Sequence, residues 1–175
     1  MLAQGEAVKS FEDGFAAYLG VKNAIAVNNG TVALDLAIKA LDLEPGSEII
    51  TPAFTFIATA NCALYQGLRP VFADVDERTF NIDPDDLQER ITPRTKAVIG
   101  VHLYGQPFPL SAVQEICQER NIALVEDCAQ AHGAEWKGKK VGSFGTGCFS
   151  FYPTKNMTTG EGLSLIQISE PTRPY

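Results

Sequence analysis

The chain has 175 residues, is 45% hydrophobic and 20% charged, and carries a net charge of −7. Its length fits one domain or part of one, and its apolar share is ample for a core. The acidic balance, with lysines and arginines scattered, argues against a nucleic-acid partner, and no apolar run is long enough for a membrane helix.

Taken in chain order, helical and strand periods alternate. Val8–Leu19 has helical periodicity and stops at Gly20, and Ala24–Val27 is a short buried strand. "TVALDLAIKALDL" reads as a helix that ends before Pro45-Gly46. Glu48–Pro52 is strand-like, Phe56–Gly67 helix-like and Arg69–Val75 a strand. "DPDDLQERI" opens on an Asp-Pro cap signal and forms a short helix. "KAVIGVHL" is a strand, "PLSAVQEICQERN" a helix and Ile122–Ala129 a strand. After a glycine-rich turn, "GTGCFSFY" gives one more strand. This alternation predicts an α/β layer with a mostly parallel sheet.

Cys62, Cys117, Cys128 and Cys148 form no CxxC pair and read as buried small hydrophobes, which suits a reducing cytoplasm. With only His102 and His132 present, no metal site is expected.

Four short stretches carry chemistry. In "CFSFYPTKNMTTGEG", Lys155 follows an aromatic strand; it either reaches water or, desolvated, forms a Schiff base with an aldehyde. In "AVNNGTVAL", Gly30 and Thr31 open a helix; the turn is a plain N-cap or a phosphate cradle of free amides. In "LVEDCAQAHGA", Asp127 ends a buried strand, where open α/β sheets bind ligands; it caps a helix, forms a salt bridge or pairs with a protonated ring nitrogen. Gln130 presents an amide from the next turn, and His132 reads as a packed ring. In "TPAFTFIATANC", Phe54 and Phe56 fill core or stack on a flat cofactor. Together a phosphate loop, an aromatic plate, an acid and a lysine match the groups of pyridoxal 5'-phosphate.

The chain resembles the DegT/DnrJ/EryC1/StrS family of pyridoxal-phosphate sugar aminotransferases. The resemblance rests on "NNGTVAL", "TPAFTFIATANC", "PVFADVD", "NIDP", "TPRTKAVIGVHLYGQP", "VEDCAQAHGA" and "GCFSFYPTKNMTTGEG", in the family's order from about Leu2 to Gly162. It implies the large cofactor domain of the aspartate-aminotransferase-like fold, incomplete, with a seven-stranded, mostly parallel sheet and helices on both faces. It implies that Lys155 forms the Schiff base and shuttles the proton, and that Asp127 pairs with the ring nitrogen. Gln130 would bond the phenolic oxygen, Phe56 would stack on the ring, and Gly30, Thr31 and Ser150 would hold the phosphate. The implied activity moves an amino group from an amino acid, glutamate as the expected donor, to a keto group of a nucleotide-linked sugar, in a cytoplasmic homodimer serving cell-surface polysaccharide synthesis. A sugar dehydratase and a non-catalytic regulatory relative are the alternatives. Lys155 in place of the histidine that family dehydratases carry favours transamination.

Residues 1–162 are expected to be part of that cofactor domain, read as an internal piece of a gene and inactive and marginally stable alone; family members begin earlier and add a small C-terminal domain. Leu163–Tyr175 breaks the register of "TTGEG" and resembles the translation of a transposase-type sequencing adapter, with Gln167 where that translation has histidine. It is expected to be non-native and irregular.

Overall fold

A computed structural model describes residues 5–159 and the backbone of residues 164–167. The elements in chain order are α1 (Glu6–Leu19), β1 (Ala24–Val27), α2 (Gly30–Lys39), β2 (Glu48–Pro52), α3 (Ala58–Tyr65), β3 (Arg69–Ala73), α4 (Pro84–Arg90), β4 (Thr95–Val101), α5 (Leu110–Arg120), β5 (Ala123–Asp127), β6 (Glu135–Trp136), β7 (Lys139–Lys140), β8 (Thr146–Ser150) and β9 (Ser164–Gln167). Local signals set many of the boundaries. Gly20 takes φ 71° and ends α1, and the Asp83 side chain accepts from the Asp85 amide at 2.8 Å to start α4. α2 stops at Lys39, short of the expected end, because Asp42 turns the chain at φ 48°.

Seven strands form one sheet in the order β1-β9-β8-β5-β4-β2-β3. Its pairings from β8 to β3 are all parallel, and β9 runs antiparallel to both its neighbours. Alternate strand residues face opposite ways, so each face has its own core. Ile50, Val98 and Phe149 pack with α1, α4 and α5, whereas Ile49, Ile99, Val125 and Cys148 pack with α2 and α3. The seven-stranded, mostly parallel sheet with helices on both faces is thus present.

The expectation of an irregular tail fails at Ser164–Gln167. This segment pairs with β1, where Ala24 faces Gln167, and with β8, where Cys148 faces Ile166. The slot between two strands offers backbone donors and acceptors on both sides, and any extended segment can satisfy them whatever its side chains. The rest of 163–175 lies outside the described residues. The glycine-rich turn before β8 also holds a small hairpin, β6-β7, turned by Lys137 and Gly138 at φ 51° and 78°.

β5 holds the layer together through Glu126, which is fully buried. Its carboxylate accepts from the amides of Gly142 (2.8 Å), Phe144 (2.8 Å) and Gly145 (2.7 Å), and lies 3.1 Å from His102 Nε2. Burial pushes its pKa upward, but these bonds and the His102 charge outweigh burial and hold it below the usual carboxylate range. The stabilisation is therefore present above the unfolded carboxyl's range and is lost as pH falls through the lower folded value. Glu126→Gln sets an NH₂ group among backbone donors. It should cost about 3 kcal/mol in urea unfolding at neutral pH; a wild-type midpoint would contradict this anchoring role.

Candidate functional site

Asp127 follows Glu126 on β5, so the pleat turns it to the opposite face, at the strand's carboxyl end. Its Oδ1 accepts from the Ala129 amide at 3.1 Å and its Oδ2 from Thr59 Oγ1 at 3.0 Å. Thr59 in turn lies 2.9 Å from Thr55 Oγ1. Among the described residues no cation is within ion-pair distance of Asp127. Burial raises its pKa above the ordinary carboxylate range, and the Ala129 and Thr59 bonds and the Lys155 charge offset this only in part. A desolvated acid of this kind favours a protonated partner.

The start of α2 lies opposite. Asn29 caps it, its Oδ1 accepting from the Val32 amide at 3.0 Å and its carbonyl from the Ala33 amide. The Gly30 and Thr31 amides have no bond among the described residues. A Cβ on Gly30 would stand 3.0 Å from Ser150 Cβ, so glycine permits the helix end to close on β8. Free amides at a helix start are an anion site in chemical terms.

Lys155 sits on a loop whose return is pinned at Phe151, where the carbonyl accepts from Thr158 Oγ1 and the Thr159 amide. Its own amide donates to the Tyr152 carbonyl at 2.9 Å. Gln130 Oε1 accepts from the Tyr104 amide at 2.8 Å. Only an acceptor can face an N–H, so the Gln130 NH₂ group is turned the other way. Tyr104 makes this bond from a left-handed conformation (φ 54°, ψ 25°) that costs about 1–3 kcal/mol for a residue with a Cβ.

Gly30, Thr31, Phe56, Asp127, Gln130, Ser150 and Lys155 all line one cavity of about 390 Å³. Phe54 and His132 do not. The core reading of the two phenylalanines fails: Phe56 is 70% exposed on the cavity rim, and Phe54 is 49% exposed beside Phe80. His132 packs against Phe149 and Phe151, and among the described residues its buried ring nitrogens find no well-formed hydrogen bond. Burial, then the Lys155 charge, lowers its pKa to about 4, so it is neutral at physiological pH. Sequence reading missed Thr59, the hydroxyl on Asp127, because nothing local ties a helix threonine to an acid 68 residues on.

An open α/β layer whose strand ends bring an amine, a desolvated acid and an anion-binding helix start to one cleft has the design of an aldehyde-cofactor enzyme. The chain belongs to the DegT/DnrJ/EryC1/StrS aminotransferase family, whose profile matches residues 1–169. It is 50% identical over 159 residues to GDP-perosamine synthase of Caulobacter vibrioides, covering 90% of this chain and 43% of that protein. It is 48% identical over 170 residues to the spore coat polysaccharide biosynthesis protein SpsC of Bacillus subtilis, covering 97% and 44%. Among solved structures, S. venezuelae DesV in complex with a ketimine intermediate superposes with a TM-score of 0.92 at 38% identity, covering 96% of this chain and 46% of that one. The chain thus spans less than half the length of these relatives.

The raised acid gives a test on the cofactor-free protein. A group whose folded pKa exceeds its unfolded value loses stability as pH rises through that window. Asp127→Asn keeps an acceptor for Ala129 and can donate to Thr59, whose hydroxyl then turns to Thr55. It should be more stable than wild type at pH 7, with the advantage vanishing below about pH 3.8. Equal midpoints at pH 7 in thermal unfolding would show that Asp127 bears no burial penalty.

Proposed function

We propose that the protein is an aminotransferase that uses pyridoxal 5'-phosphate to move an amino group from an amino acid, glutamate in the first instance, to a keto group of a nucleotide-linked sugar. The observation that carries this reading is the convergence of Lys155, Asp127 and the α2 amides on one cavity. The donor set fits the cofactor: amides and the Ser150 hydroxyl for a phosphate, a desolvated acid for a ring N–H, an amide for a phenolic oxygen and an amine for an aldehyde. The relatives named for GDP-perosamine synthesis, and the one from Acidithiobacillus ferrooxidans named as a UDP-N-acetyl-3-dehydro-glucosamine aminotransferase, support a nucleotide-sugar substrate.

When bound, pyridoxal 5'-phosphate supplies an aldehyde that condenses with amines and a protonated ring that takes up an electron pair. The protein's own part is read from which groups line the cavity. Gly30, Thr31 and Ser150 would hold the phosphate. Phe56 would lie against the ring and keep water from it. Asp127 would keep the ring nitrogen protonated, and Gln130 would donate to the phenolic oxygen. Lys155 would hold the aldehyde at rest; freed, its amine would take a proton from the substrate carbon and return it one carbon away. One positioned amine can serve both halves of the exchange.

The exposed aromatic rim, including Phe56, Tyr104 and Tyr152, supports a homodimer with the cavity at its interface. Four free, buried cysteines support a cytoplasmic setting, and the SpsC relative supports a role in surface polysaccharide synthesis. Among the described residues no helix is long and apolar enough to cross a membrane.

The complete gene product mixed with pyridoxal 5'-phosphate should show a visible absorbance band that glutamate bleaches. Lys155→Ala should lack the borohydride-reducible adduct and lose at least about 10²-fold in transamination. Asp127→Ala should keep the adduct and bleach more slowly. An adduct that persists in Lys155→Ala would remove the assignment; a deoxy keto sugar in place of an amino sugar product would point to dehydration.

A further inference from the structure

Asn81 lies in the loop between β3 and α4, outside the cavity, and is 1% exposed. Its loop is fixed in place: the Asp76 amide donates to the Asn81 carbonyl at 3.0 Å, and Val75 bridges Ile82. Both ends of its carboxamide are used. Oδ1 accepts from the Leu103 amide at 3.1 Å, and Nδ2 donates to the Gln106 carbonyl at 3.1 Å. Leu103 and Gln106 are the first and last residues of the tight turn that contains Tyr104 and Gly105. Both central residues have positive φ, 54° and 83°, the hand of a type I′ turn. Glycine adopts that hand freely and tyrosine does not.

We propose that Asn81 is a positioning residue for the cofactor site: by clamping both ends of the Leu103–Gln106 turn, it holds the Tyr104 amide where it fixes the Gln130 carboxamide with its NH₂ group free to donate. Without the clamp the turn can relax toward negative φ at Tyr104. The Tyr104 amide then leaves Gln130 Oε1, and the carboxamide can rotate and offer its oxygen where it had offered its NH₂ group. The chain of contacts runs from Asn81 through the turn to Gln130 and contains no group that titrates near neutral pH. The consequence at the phenolic oxygen rests on the function proposed above.

The test is a pH titration of the Lys155-linked cofactor band in the complete gene product. Gln130→Ala should raise the midpoint, because the negative phenolic oxygen loses a donor. Asn81→Ala should raise it in the same direction, and Asn81→Ala added to Gln130→Ala should shift it no further. Asp127, His132 and Lys155 are unchanged in all three proteins. Asn81→Asp serves if the alanine variant does not fold; it keeps the Leu103 bond, sets an oxygen against the Gln106 carbonyl, and should also raise the midpoint. A wild-type midpoint in the Asn81 variants, or a shift that adds in full to that of Gln130→Ala, overturns the proposal. In the cofactor-free protein, the Gln130 side-chain NH₂ resonances should move in the Asn81 variants. Unmoved resonances overturn the positioning role; moved resonances with no cofactor band sink the cofactor reading alone.

Discussion

Two successive carboxylates at the end of β5 govern the architecture. The pleat sends Glu126 and Asp127 to opposite faces of the sheet, and both are desolvated. Burying a carboxylate is costly unless the fold supplies donors, and the two are treated differently. Glu126 is met by three amides and a histidine, so it draws the segment from Gly142 to Gly145 onto the sheet and fixes where β8 begins. Asp127 is met by one amide and one hydroxyl. The first acid is satisfied within the protein; the second retains an electrostatic preference for a protonated group arriving in the cavity.

The same alternation decides how much of the molecule was readable in its sequence. Ala24–Val27 and Glu48–Pro52 are short apolar runs bounded by turn residues, and their strands match the sequence reading end to end. The candidate site residues were legible because Gly30, Thr31, Asp127 and Ser150 sit at a helix start or strand end, and Gln130 and Lys155 on the turns just beyond β5 and β8. Their roles were carried by motif resemblance; composition and period alone left each open between an ordinary and a catalytic reading.

What stayed hidden was long-range. Glu126 is adjacent to the residue singled out for chemistry, yet its partners lie 16 to 19 residues on and 24 residues back, and no local pattern announces them. Phe56 belongs to an apolar run that looks like core, but α3 begins two residues later and leaves the ring on the rim. Ser164–Gln167 carried no motif in the sequence reading, although the family profile extends through residue 169, and it forms a strand because β1 and β8 both offer it a ladder. For Glu126 and for Ser164–Gln167 a partner distant in sequence settled the outcome; for Phe56 it was the point at which α3 begins.

That last strand bears on how the molecule is made. Among the described residues β1 forms ladder bonds only with β9, and the facing residues Ala24 and Gln167 are 143 positions apart in sequence. During synthesis at about 5–20 residues per second, β1 must therefore wait on the order of ten seconds for its neighbour to emerge. The parallel strands from β3 to β8 can assemble meanwhile from contacts closer in sequence. The Gly30 and Thr31 amides come directly after β1, yet α2 packs on Ile49, Ile99, Val125 and Cys148 and closes on Ser150, so this end of the cavity takes shape only once β8 has emerged.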